Sequence, residues 1–225
     1  MIARLANRAK KVNWKYLLTE VLLIVIGINV GLWFSNISKN DEKRQQEKEI
    51  LTEMLTSLRT DKKDMQENLK IHQEGLEAAG RLLLPLDSLK PGAAAFDLVL
   101  LWRDSYFVSD NTSYETLKNY GLNLVRDSRM RQDIVRLYNE CYRMVEEAHI
   151  FHRRRVESFD PVMVELFDYK NQRYVFRDPT LAAIPDKSYQ IKTIQNAHYY
   201  VASTYRDNAL PQVDSLITYL ETALR

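Results

Sequence analysis

The longest apolar stretch of the chain, Val21 to Phe34 (VLLIVIGINVGLWF), contains no charge and extends back through Tyr16, Leu17 and Leu18. Counted from Trp14 to Phe34 it is 21 residues, about 30 Å as a helix and so matched to a bilayer core. Trp14 and Tyr16 stand at one end and Trp33 and Phe34 at the other, where aromatic side chains suit a membrane interface. A cleaved signal peptide would need a small-x-small site after the apolar run. Leu32, Trp33 and Phe34 occupy that place. The pattern predicts a retained transmembrane helix over 14–36 behind a short tail, 1–13.

Polar and apolar residues then alternate with helical period. Leu51, Met54, Leu55, Leu58, Met65, Leu69, His72 and Leu76 recur at three- and four-residue steps between Lys, Glu, Gln and Asp, the spacing of an amphipathic helix. No proline precedes Pro85, so the span and this segment can form one helix of some 65 residues. Residues 37–90 are expected to be a long amphipathic helix, stalk or coiled coil. Pro85 and Pro91-Gly92 end it.

The remainder, 91–225, reads as a helical domain. The run Ala93–Trp102 around Asp97 is too short to span and predicts a buried helix. A helix over Thr112–Asn119 should be capped by Asp110 or Asn111 and stopped by Gly121. Longer ones are expected over Ser128–Arg155, with Ile134, Leu137, Tyr138, Cys141, Val145 and Ala148 on one face, and over Ser188–Arg206. Pro161–Phe167 suggests a short helix, and a last one starts near Asn208 with Pro211 in its first turn. No strand series is evident. The fold expected is all-α: one N-terminal transmembrane helix, a long amphipathic helix, then a helical bundle outside the cytoplasm.

Charge changes this picture in one respect. Of 32 Lys/Arg, five (Arg4, Arg8, Lys10, Lys11 and Lys15) fall in the first 15 residues with no acid among them, which leaves 27 against 29 Asp/Glu in residues 39–225. The basic character therefore belongs to the tail, which suits anionic lipid, and no basic face for nucleic acid stands out. The acid-free positives favour a cytoplasmic N-terminus and a periplasmic C-terminal domain in a bacterial inner membrane. The single Cys141 excludes an internal disulfide, a cysteine metal cluster and a lipidated cysteine after the span.

Two stretches resemble a known family. Glu20 and Gly27, seven residues apart in Glu20-Val-Leu-Leu-Ile-Val-Ile-Gly27-Ile, and the segment Tyr114-Glu115-Thr116-Leu117-Lys118-Asn119-Tyr120-Gly121 resemble the signatures of uncharacterised single-span membrane proteins common in Bacteroidota. The segment beginning at Tyr114 is similar to that family's Tyr-x-x-Leu-Lys-x-x-Gly motif, carried here by Tyr114, Leu117, Lys118 and Gly121. Gly31 stands where alanine is more usual, and Ser35-Asn36-Ile37-Ser38 lacks the family's tryptophan. The resemblance implies topology and class, and no activity.

Chemistry is sparse. There is no phosphate-cradling glycine loop, G-x-S-x-G, H-E-x-x-H or C-x-x-C. Glu146-Glu147-Ala148-His149 holds one Glu-x-x-His, but neither His72 nor His198 has a Glu three residues before it, so the paired pattern of a di-iron bundle is missing. His149 is read as part of an exposed polar turn. His152 lies on the Cys141 stripe and His198 among Ile191, Ile194 and Tyr205, where a core histidine is the default. His152-Arg-Arg-Arg155 suits a solvated helix end. Asn111-Thr-Ser113 fits a glycosylation sequon but reads as a cap. No catalytic, cofactor or metal residue is assigned, and no enzymatic activity is expected.

The span's own polarity remains. At 100° per residue, Glu20, Gly27, Gly31 and Ser35 fall within about 80° of one another. Gly27-Ile-Asn-Val-Gly31 is a GxxxG, which admits a close helix neighbour, and an intramembrane carboxylate usually faces protein or water. The function expected is a non-enzymatic, membrane-anchored interaction or assembly subunit, associating as a homo-oligomer or with another membrane protein. The alternative is a receptor-like periplasmic sensor, whose short tail would need a partner to relay the signal.

Overall fold

The computed structural model describes residues 14–225; the expected basic tail, 1–13, lies outside them. The chain has two compact units, Met1–Glu49 and Ile50–Arg225. Helix α1 (Trp14–Leu82) is 69 residues long. Among the described residues it is the one helix long and apolar enough to cross a membrane, and none of its most apolar window is buried.

In the larger unit α1 contributes a buried stripe. Leu51, Met54, Leu58, Asp61, Met65, Asn68, His72, Gly75, Ala79 and Leu82 all face inward. The steps of three and four were legible, but the stripe's lower half is more polar than expected: Leu69 and Leu76 are only half-buried, while Asn68, His72 and Gly75 are enclosed. After Pro85 comes α2 (Pro91–Trp102), with proline in its first turn. Its one charge, Asp97, is buried and accepts three bonds from Arg81 of α1, from Nε to both oxygens at 3.1 Å and from Nη2 at 2.7 Å. That pairing explains how an acid sits inside an apolar run.

Helix α3 (Thr112–Tyr120) ends at Gly121, whose φ of 96° no side-chain-bearing residue adopts readily. Asn111, at the cap position, makes no side-chain cap bond; Asp110, one residue earlier, accepts from the Thr112 amide through Oδ1 at 3.1 Å. Helices α4 (Ser128–Arg136) and α5 (Tyr142–Glu157) are joined through a π-helical turn, Leu137–Cys141. Asp127 caps α4 by accepting from the Arg129 and Met130 amides. Short α6 (Asp160–Leu166) leads into a hairpin, β1 (Phe167–Lys170) and β2 (Arg173–Phe176). Helix α7 (Ser188–Ser203) and α8 (Leu210–Ala223) are likewise joined by a π-helical turn, Thr204–Ala209.

Among the described residues the all-α class holds, with this hairpin as the one addition. Its turn residues Asn171 and Gln172 have φ of 49° and 62°, the left-handed pair that a tight hairpin needs. Phe167 pairs Phe176 and Tyr169 pairs Tyr174 across the strands, and such aromatic pairs stabilise a short ribbon. Glycine usually marks this turn; Gln172 gives no such signal.

Two apolar clusters form the core. One gathers Met54, Leu58 and Met65 of α1 with Leu117, Ile134, Val145, Tyr205 and Leu216. The other gathers Ala79 and Leu82 with Leu98, Leu101, Phe159, Ile184 and Ile191. Each fully buried Leu or Met contributes about 2 kcal/mol of transfer free energy.

Candidate functional site

The chain has four histidines, and the fold brings all four together. His72 comes from α1, His149 and His152 from α5, and His198 from α7. Three are fully buried and His149 is 4% exposed. Ring centroids lie 4.6 Å apart for His72 and His152, 4.3 Å for His152 and His198, 5.1 Å for His72 and His198, and 5.4 Å for His72 and His149.

The site forms a polar waist between the two apolar clusters. On α1 one cluster reaches Met65 and the other begins at Ala79; along α5 and the turn after it the limits are Ala148 and Phe159; on α7 they are Val201 and Ile194. Each helix places its histidines in the gap. Gly75, one turn after His72, lets α7 come close: a Cβ there would stand 2.5 Å from Cε1 and Nε2 of His198.

Every ring has an outer partner. His198 Nε2 donates to the Leu101 carbonyl at 3.0 Å and His149 Nδ1 to the Ser105 carbonyl at 2.8 Å, since a carbonyl can only accept. His152 Nδ1 faces the Asp104 carboxylate at 3.2 Å, and Arg153 Nε holds that carboxylate's other oxygen at 3.0 Å. His72 Nε2 meets the Ser105 hydroxyl at 3.0 Å. Inward, His72 Nδ1 lies 2.9 Å from His198 Nδ1 and His152 Nε2 lies 3.4 Å from His198 Nε2. The Tyr205 hydroxyl donates to His149 Nε2 at 2.5 Å. With one proton per ring, and His72 donating from Nδ1 to His198 Nδ1, all these bonds close except the 3.4 Å approach of His152 Nε2, which shares the proton that His198 Nε2 gives to Leu101.

Burial dominates the electrostatics. It pushes His149 and His198 down to about 4 and His72 lower still, with neighbouring imidazoles adding to the shift. These three rings are neutral at pH 7. For Asp104 burial opposes ionisation, but the bonds from His152 and Arg153 outweigh it and lower its pKa.

A second polar group lies on the Met54 side. Buried Asp61 accepts from the Tyr142 hydroxyl at 2.7 Å and from the Asp110 amide at 3.1 Å, and the Ser57 hydroxyl donates to Asp110 at 2.6 Å. Burial nonetheless leaves the Asp61 carboxyl raised.

The residues singled out from sequence fall elsewhere. Glu20, Gly27, Gly31 and Ser35 are exposed on α1, and a Cβ built at either glycine would meet nothing within 4 Å. Tyr114 stacks on Tyr138 at 4.5 Å, Leu117 is fully buried, and Lys118 pairs with Glu115 at 2.7 Å above the Tyr114 ring. These are packing and capping roles. One correction concerns His149, which is not part of an exposed polar turn. Glu146 and Glu147 face solvent, but His149 is turned into the core by the same helical step that buries Val145 and His152. What spacing alone could not give was the convergence of residues 72, 149, 152 and 198.

Comparison with family models, with curated proteins and with solved structures finds no match to this chain.

Proposed function

We propose that this chain is a non-enzymatic, membrane-anchored interaction or assembly subunit. In this reading residues 14–36 cross a bacterial inner membrane once, the N-terminus is cytoplasmic and the helical domain is periplasmic. The observation that supports it is the bare apolar surface of α1. Leu22, Leu23, Ile24, Ile28, Leu32, Trp33 and Phe34 are each at least half exposed, a patch that in water would cost far more than a soluble protein tolerates. Asn29, the amide within the run, donates one N–H to the Val25 carbonyl at 2.7 Å, which meets part of its hydrogen-bonding need within its own helix.

Association runs along Glu20, Gly27, Gly31 and Ser35, the small and polar line of that helix. Gly27→Leu and Gly31→Leu should weaken self-association or partner capture in membranes by about 1 kcal/mol per lost contact, and Ile28→Ala should not. Cysteine crosslinking along residues 16–38 reads this directly; uniform crosslinking, or a maximum at Asn29, overturns the seam. A reporter active only outside the cytoplasm should work when fused after Arg225. Activity from an N-terminal fusion alone reverses the topology.

A further inference from the structure

We propose that the buried histidine cluster is a metal site, in which His72, His152 and His198 bind one borderline divalent first-row ion, zinc in the first place. One ring nitrogen from each of these three residues lies within 4.8 Å of the others. Bonds of about 2.0–2.1 Å to a tetrahedral ion place donor nitrogens roughly 3.3 Å apart. His72 Nδ1 already stands 2.9 Å from His198 Nδ1, and His152 Nε2 stands 3.4 Å from the far nitrogen of the same ring, Nε2, so a side-chain shift of His152 toward His198 Nδ1 brings the three donors to that spacing.

The outer partners carry the argument further. A metal-bound histidine usually donates its other N–H to a carboxylate, carbonyl or hydroxyl, which fixes the ring and its tautomer. His152 has Asp104, His198 has the Leu101 carbonyl, and His72 has the Ser105 hydroxyl. These partners leave His152 Nε2, His198 Nδ1 and His72 Nδ1 as the ligating atoms. Two of the three already carry no hydrogen in the closed network. The remaining one, His72, needs only to move its proton from Nδ1 to Nε2, where Ser105 Oγ accepts it. No proton is lost and no ring turns over.

The donor chemistry selects the ion. Three imidazoles in a core with no thiolate beside them suit zinc, nickel, cobalt or copper and not calcium or magnesium. Asp104, with its side chain 29% exposed, forms the wall nearest solvent and supplies the nearby negative charge. His149, closed by Tyr205 and Ser105, belongs to the surrounding shell. The proposal is independent of the membrane reading.

The test uses the full chain, untagged, in mild detergent and stripped with chelator. Cobalt(II) should bind at one per chain and give the intense visible absorption of a four-coordinate site with three nitrogens and one solvent oxygen, which an equivalent of zinc should bleach. Zinc should raise the melting temperature. His72→Leu should abolish the cobalt spectrum. Asp104→Asn leaves all four rings in place and should weaken metal binding 10- to 100-fold while far-UV circular dichroism stays native. Cobalt that remains six-coordinate and pale, or an Asp104→Asn protein that binds as tightly as the native chain, overturns the proposal. Both results are readable even if His72→Leu fails to fold.

Discussion

Replacing Gly75 by alanine probes the closest approach that a glycine permits in the helical domain. The new Cβ would lie 2.5 Å from Cε1 and Nε2 of His198 and 2.8 Å from Nδ1, so the ring must retreat by roughly 1 Å to reach ordinary contact. It is fully buried and packed, and overpacking of this kind costs about 1–3 kcal/mol. Retreat also stretches the bonds to the Leu101 carbonyl and to His72, each worth roughly 1 kcal/mol. Against this, alanine gains about 1 kcal/mol over glycine in a helix interior. The net loss is therefore about 2–4 kcal/mol, which lowers the melting temperature of a domain this size by roughly 10 °C. The assay is a thermal melt of the full chain in detergent, followed by near-UV circular dichroism. Gly80→Ala is the control, because it sits on the same helix with nothing within 4 Å of its Cβ, and it should stabilise by up to about 1 kcal/mol. If Gly75→Ala stabilises as Gly80→Ala does, His198 does not stand against α1 and the site as described is wrong.

Acid should unfold the chelator-stripped protein early. His149 and His198 titrate near 4 when folded against an ordinary 6.5, so the unfolded chain binds more protons between those values; stability is full above about pH 6.5 and is lost as pH falls toward 4, by about 2 kcal/mol per ring at pH 5. Urea midpoints that stay flat from pH 7 to 5 contradict this. Tyr142→Phe removes a hydrogen bond from the buried Asp61 carboxylate and should cost about 2 kcal/mol at pH 7. Because the bond lowers the Asp61 pKa, the cost should shrink in acid, where the carboxyl is protonated; a pH-independent loss would mean the two groups do not interact.

Most helices were legible because period and punctuation agree. The α1 stripe, the stop of α3 at Gly121, and the proline starts of α2 and α8 follow from local chemistry. The hairpin was not, since Gln172 occupies a left-handed position that glycine or asparagine would have advertised. His152 and His198 could be placed on apolar faces, yet an apolar face holds many single histidines. Their shared site arises from tertiary convergence: 126 residues separate His72 from His198, and no spacing rule spans three helices. The burial of His149 is masked in the sequence because Glu146 and Glu147 colour its neighbourhood polar, whereas a helix turns about 100° per residue and hides one side chain beside two exposed ones.

The polar waist also acts as a gauge of axial alignment. Apolar helix faces tolerate sliding, because one leucine replaces another at each turn. A one-turn slip of α1, about 5.4 Å, would instead set Asn68 or Leu76 where His72 meets His198, and Ile71 or Ala79 where Gly75 admits that ring. Either slip strands buried imidazole nitrogens without partners, at about 1–3 kcal/mol for each. In the larger unit the lengthwise position of α1 against α5 and α7 therefore has one setting.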